Sequence, residues 1–283
     1  MLFLTNTVNL YAPFLTFFWD PYVLFRTFFN QSSAPLDTGV YAERLKELDE
    51  MREELAGLRA ETPEESKKLR DDFSVLFTWH STALEGNPLT LRETTMVMGG
   101  MTIAAKNLRD QFVAAGHQQA VTLLYDVMEK ALPINEEILM MFHRAVMMDT
   151  PLESGVYRTG DIKNRGKKVH IDAPETIQAA MDDLFARADT ESDVHPILRA
   201  VRFHLEFEGI HPFADGSGRT GRLLLNAQLM RAGYPPIVIR ADRRKAYFDA
   251  FKAYFNQGNE RPMLELVMDN LEESYLYCFR HLK

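Results

Sequence analysis

His211-Pro212-Phe213-Ala214-Asp215-Gly216-Ser217-Gly218-Arg219-Thr220-Gly221-Arg222 is the densest run of chemically specialised residues in the chain, and its reading decides the rest. Glycines on either side of Ser217 let backbone N–H groups converge on an anion. The apolar Leu223-Leu224-Leu225 behind them predicts that the loop opens a helix, whose N-terminus favours phosphate. Arg219 and Arg222, three apart at that helix start, point toward the same bound anion. Asp215 offers a ligand to a divalent cation that shares phosphate oxygens, and His211 is the group here able to take a proton near neutral pH. A base, a metal ligand, an anion cradle and two guanidiniums together read as a phosphoryl or nucleotidyl transfer site.

Other readings of the loop fail on context. Gly216-Ser217-Gly218-Arg219-Thr220-Gly221 satisfies the GxGxxG string, but the dinucleotide fingerprint needs a preceding strand, and Ile197, Leu198, Val201 and Leu205 are spaced as on a helix. No Gly-Lys-Ser/Thr follows the glycines, which excludes a Walker A loop. A plain Gly-rich connection between helices explains the glycines but neither His211-Pro212 nor the paired arginines.

Outward from the loop the pattern is helical almost everywhere. Leu45, Leu48, Met51, Leu55 and Leu58 recur at spacings of three and four over residues 41–59, an amphipathic helix too short for a long coiled coil. Thr62-Pro63-Glu64-Glu65 is a helix start, with Pro in the first turn and acids against the dipole, and the helix continues through Leu69, Phe73, Leu76, Phe77 and Leu84. Asn87-Pro88 breaks it, and Thr90-Leu91-Arg92-Glu93 supplies a capping box for the next. Helical periodicity fills 106–128, 135–147, 174–187, 196–208 and the stretch from Leu223 onward, interrupted there at 233–239. Residues 160–172 break the pattern, and Asn164-Arg165-Gly166 inside them is a turn signal for a small hairpin. The fold class is therefore mainly α with one β-hairpin.

Composition bounds the partners. The 283 residues hold 32 Lys and Arg against 40 Asp and Glu, a net charge of −8, which argues against a general nucleic-acid binder and leaves an anionic ligand dependent on a local basic site. Cys278 is the one cysteine, so no internal disulfide and no Cys-based metal cluster is expected, and a reducing compartment, the cytoplasm, fits best. The first nineteen residues carry no charged side chain, but Thr5, Asn6, Thr7, Asn9, Pro13 and Thr16 interrupt them and no secretory signal is present. Residues 1–38 are read as an aromatic-rich arm, with 1–30 the part through which a membrane would be met.

The run from His211 to Arg222 resembles the signature of the Fic (filamentation induced by cAMP) family, HPFx(D/E)GN(G/K)RxxR, at every defined position but one, Ser217 standing where the family usually has Asn. Gly155-Val156-Tyr157-Arg158, the hairpin, Ala232-Gly233-Tyr234-Pro235-Pro236-Ile237 and Asn256-Gln257-Gly258 follow the family's order, so the resemblance covers about residues 70–275. It implies a Fic-type helical bundle with a hairpin flap, residues 39–105 forming an N-terminal helical region and 106–283 the catalytic core with its C-terminal helices. It also implies transfer of AMP from ATP to a Ser, Thr or Tyr hydroxyl of a target protein. Carried over by position, His211 is the general base, Asp215 binds Mg²⁺, and Pro212 and Phe213 fix the loop. Gly216, Ser217, Gly218, Arg219, Gly221 and Arg222 hold the phosphates, Asn256 lies near the nucleoside, and the flap at 162–171 aligns the target segment.

Ser81-Thr82-Ala83-Leu84-Glu85-Gly86 resembles the family's inhibitory (S/T)xxxE(G/N) motif, on a helix over about residues 66–86. The resemblance implies that Glu85 pairs with Arg222 and competes with the γ-phosphate. Three functions are carried forward: autoinhibited adenylylation, removal of AMP from a modified protein, and a nucleotide-binding regulator weakened by Ser217. ATP, an unidentified target protein, self-modification and a homodimer are the partners the resemblance implies, with no nucleic acid. His80, His117, His143, His170, His195, His204 and His281 show no metal-site spacing and are set aside from the chemistry.

Overall fold

Thr90 and Glu93 close the capping box written in the sequence: the Thr90 amide donates to Glu93 Oε2 at 2.8 Å and the Glu93 amide to Thr90 Oγ1 at 3.2 Å. Asn107 and Asn135 start two later helices as simple N-caps, their side chains accepting from the amides of Arg109 and Ile138. The structure, a computed structural model, describes residues 38–58, 63–148, 154–162, 173–190 and 193–282. Its helices are α1 Thr38–Gly57, α2 Pro63–Leu84, α3 Leu91–Met98, α4 Leu108–Glu129, α5 Glu136–Val146, α6 Ile177–Thr190, α7 Pro196–Ile210, α8 Ser217–Arg231, α9 Arg244–Gln257 and α10 Arg261–Leu282. Among the described residues there is no strand. The arm at 1–37 and, apart from Ile162, the hairpin expected over 162–171 lie outside the described residues.

The bundle is organised around α8. Leu223, Leu224, Leu225 and Leu229 are at most 1% exposed, and burying side chains of this size contributes about 1.5–3 kcal/mol each. α8 packs against α7, α5, α4 and α2, while α10 closes the far side against α1, α9 and α7. Asn226 holds the Pro-rich interruption to α8: its Nδ2 donates to the Ile237 carbonyl at 3.0 Å, and the Ile237 amide donates to its Oδ1 at 2.7 Å. Among the described residues no helix is long and apolar enough to cross a membrane.

Two helix ends matter for the site. α2 stops at Leu84, the Glu85 amide donates to the Thr82 carbonyl at 3.1 Å, and Gly86 turns left-handed at φ 95°. Glu85 therefore stands in the turn that ends the helix rather than inside it. α7 ends at His211, which caps the helix in the left-handed region at φ 47°, ψ 62°. A non-glycine residue held there stores backbone strain, a feature concentrated at functional sites. Contacts across the bundle place Asp37–Lys283 in one unit.

Candidate active site

The loop between α7 and α8 is pinned at successive carbonyls. Arg158, from the segment 154–162, donates through Nε to the His211 carbonyl at 2.8 Å and through its own amide to the Pro212 carbonyl at 2.9 Å. Its other guanidinium nitrogens reach the carbonyls of Ile210 and Gly160. His143 of α5 contacts the Asp215 carbonyl through Nε2 at 3.0 Å and the Gly155 amide through Nδ1 at 2.8 Å. Its ring stacks on Phe213 with centroids 3.6 Å apart and planes 6° from parallel. Burial pushes the His143 pKa down to about 4, so the ring is neutral at physiological pH. Pro212 and Phe213 are buried.

The two polar side chains inside the turn face different ways. Ser217 is 1% exposed, and its hydroxyl accepts from the Phe213 amide at 3.0 Å and donates to the Phe213 carbonyl at 3.2 Å. Placed by the sequence among the phosphate-binding side chains, it closes the loop on itself instead, leaving its backbone at the helix N-terminus to face an anion. Asp215 has a half-exposed carboxylate, with Oδ1 accepting from the Gly216 amide at 2.6 Å and from Arg219 at 3.0 Å. Its Oδ2 is 3.6 Å from the exposed guanidinium of Arg109.

Each motif glycine has a separate reason. Gly216 is left-handed at φ 81°, and a Cβ there would lie 2.9 Å from the Met147 sulfur. A Cβ on Gly218 would come within 2.5 Å of Glu85 Oε1. Gly221 faces α7, where a Cβ would meet Glu208 Oε1 at 2.6 Å and the Phe207 ring at 3.0 Å. Its bare backbone lets α7 and α8 approach, a packing role where the sequence reading had it among the phosphate ligands.

Arg222 is 1% exposed and fully engaged. Nε donates to Ser81 Oγ at 2.9 Å, NH2 to the Ser81 carbonyl at 2.8 Å and NH1 to Glu85 Oε1 at 3.1 Å. Burial works against its charge, but Tyr247, Glu85 and Glu208 outweigh burial and hold its pKa above the usual arginine value. The Tyr247 hydroxyl is in turn held by His204: His204 Nδ1 donates to the Gly221 carbonyl at 3.2 Å, which leaves Nε2 to accept from Tyr247 at 2.9 Å. Arg219 is also buried, directed at Asp215 and the Val146 carbonyl.

His211, partly exposed at the mouth, has Nδ1 3.8 Å from Glu208 Oε2. The structure thus brings together His211, Asp215, Gly216, Gly218, Arg219, Arg222, Ser81 and Glu85. Asn256 is exposed on the last turn of α9. Sequence reasoning missed His143, Tyr247 and Glu208 as parts of the site. The available signal for His143 was its place on the apolar face formed by Ile138, Leu139, Phe142 and Val146 of α5, where a polar ring needs partners.

Comparison with known proteins agrees with this geometry. Residues 133–229 match the model of the Fic/DOC family. The chain is 30% identical to protein adenylyltransferase fic-1 of Caenorhabditis briggsae over 246 residues, covering 85% of this chain and 48% of that protein. It is 28% identical to protein adenylyltransferase Fic of Drosophila melanogaster over 250 residues, covering 87% and 50%. The chain therefore spans about half the length of the curated relatives it matches. Among solved structures, Fic-1 from C. elegans superposes with TM-score 0.78 at 28% identity, over 87% of this chain and 74% of that one. A Fic family protein from Desulfovibrio desulfuricans G20 superposes with TM-score 0.68 at 26% identity, over 84% and 74%. In its motif, in the helices that present it and in its relatives alike, the chain resembles Fic proteins, and its residues 133–229 carry the Fic/DOC family match.

Proposed function

We propose that the protein is an autoinhibited adenylyltransferase that moves AMP from ATP to a Ser, Thr or Tyr hydroxyl of a target protein and releases pyrophosphate. The observation that carries this reading is the Glu85 carboxylate, which lies against Gly218 in the first turn of α8 and binds Arg222 at 3.1 Å. A negative group already rests where the helix N-terminus and the arginine would take phosphate.

In the active state the attacking hydroxyl gives its proton to His211 as its oxygen bonds to the α-phosphorus, and the bond from that phosphorus to the bridging oxygen breaks. The left-handed cap at His211 and the Arg158 bond to its carbonyl fix where the imidazole stands. Backbone amides at the start of α8 stabilise the phosphate oxygens, and Arg222, once released by Glu85, neutralises the terminal phosphates. Asp215 would hold Mg²⁺, which supplies charge neutralisation to the phosphates when bound. The residues fit such an ion: Asp215 is a half-exposed carboxylate beside the start of α8, where the phosphates would lie. Mg²⁺ characteristically takes one or two carboxylates and completes its shell with phosphate and water. The lone cysteine and the use of ATP favour a cytoplasmic setting.

The test is incubation with Mg²⁺ and ATP labelled at the α-phosphate. Label on protein, including self-modification, rises in Glu85→Gly and disappears in His211→Ala. Equal labelling in all three proteins overturns the reading. A fall in turnover of an AMP-modified protein by Glu85→Gly would instead assign Glu85 to water activation in AMP removal.

A further inference from the structure

We infer that His143 is a positioning residue of the transfer loop: one neutral imidazole ties the Gly155 amide to the Asp215 carbonyl and so fixes how Asp215 and Gly216 are presented to the nucleotide. The inference rests on the transfer reading above and assigns a role to a residue outside the motif.

The two ring nitrogens act in opposite senses. Gly155 N–H can only donate, so Nδ1, 2.8 Å away, carries no proton. Nε2 therefore carries it and donates to the Asp215 carbonyl at 3.0 Å. The other tautomer would set N–H against N–H at Gly155 and lone pair against lone pair at Asp215. The ring is 1% exposed, so neither partner is exchanged for bulk water. Its plane is set by the parallel stack on Phe213 and by Gly216, where a Cβ would come within 3.2 Å of Cδ2 and Nε2.

One side chain thus touches residues 155, 213, 215 and 216, joining the segment that leads to the flap with the turn that leads to α8. The consequence passes directly to the reacting groups. With the Asp215 carbonyl anchored, its carboxylate is free to fold back on the Gly216 amide at 2.6 Å and to meet Arg219 at 3.0 Å. A side chain that packs there without donating leaves the carbonyl and the Gly155 amide without their partners, and the peptide planes on either side of Asp215 lose their orientation. Arg222 and Gly218, which the ring does not touch, keep their places.

His143→Phe keeps an aromatic ring for Phe213 and removes both polar contacts. His143→Gln offers an amide donor and a carbonyl acceptor in their stead. Hydrogen exchange at the Gly155 amide should accelerate at least about tenfold in His143→Phe and return toward the unmodified rate in His143→Gln. That readout needs no catalysis, so it separates failure of this inference from failure of the transfer reading. In label transfer, kcat should fall roughly 10–100-fold in His143→Phe with KM for ATP changed less than about threefold, and His143→Gln should recover most of kcat. Unchanged Gly155 exchange, unchanged kcat, or a loss equal in the Phe and Gln variants that follows their melting temperatures would overturn the inference. Should His143→Phe fail to fold, His143→Asn, whose shorter amide cannot span both partners, takes its place in the same comparison.

Discussion

Glu85 Oε1 stands so close over Gly218 that a methyl group on that glycine would lie 2.5 Å from it and 3.3 Å from Arg222 NH1. The first turn of α8 and the end of α2 are therefore fitted to each other through a carboxylate. Gly218→Ala should cost about 1–3 kcal/mol by overpacking when Glu85 is present and much less in a Glu85→Gly background. Urea unfolding of the four proteins of the cycle should give a coupling of at least about 1 kcal/mol. Additive costs would mean that the carboxylate does not occupy this place in solution.

Arg222 depends on Ser81 as much as on Glu85, because Nε and NH2 donate to the Ser81 hydroxyl and carbonyl while NH1 alone reaches Glu85. Ser81→Ala leaves Nε buried without its acceptor, a loss of about 1–3 kcal/mol for a charged group. The same change lets the guanidinium shift from its seat beside Glu85. Denaturant unfolding should show the loss, and α-phosphate label transfer should rise, by less than in Glu85→Gly because the carboxylate remains. A fully stable Ser81→Ala protein would contradict this account.

Ser217 separates two views of the loop. With its hydroxyl engaged at the Phe213 amide and carbonyl, Ser217→Ala should destabilise the protein by about 1–2 kcal/mol. Binding of a fluorescent ATP analogue to Glu85→Gly should then change less than about threefold on adding Ser217→Ala. A tenfold weaker affinity at unchanged stability would restore the hydroxyl to the phosphate.

How much of this was legible beforehand follows from the range of the interactions. Periodicity and caps are local, so the helices of residues 41–59 and 135–147, the Thr90 start and the break at Asn87-Pro88 were all readable from side chains a few positions apart. Glu85 and Arg222, 137 positions apart, were brought together only through resemblance. Gly221 shows the limit of motif reading: a glycine inside a phosphate signature turned out to face Phe207 and Glu208 on a neighbouring helix. For His143 the apolar face of its helix says only that the ring needs partners, and Tyr247 carries no local signal; the partners, a backbone carbonyl and a buried guanidinium, are supplied by tertiary packing.

His204 and His117 give the fold a pH dependence of defined sign. Both are fully buried, and burial, with the charge of Arg222 nearby, pushes the His204 pKa from 6.5 down to about 3 and the His117 pKa in the same direction. As pH falls below about 6.5 the unfolded chain takes up protons that the folded one refuses, so stability is full above that pH and is lost progressively toward pH 3. At pH 5.5 the His204 ring lowers stability by about 1.4 kcal/mol relative to pH 7.5, and His117 acts in the same direction. His204→Gln keeps a donor for the Gly221 carbonyl and an acceptor for Tyr247 but does not titrate. Whatever its absolute stability, its decline between pH 7.5 and 5.5, read from urea unfolding, should be smaller than that of the unmodified protein by about 1.4 kcal/mol. An equal decline in both proteins would show that His204 is already protonated in the fold, and that the Tyr247 hydroxyl is not donated to it.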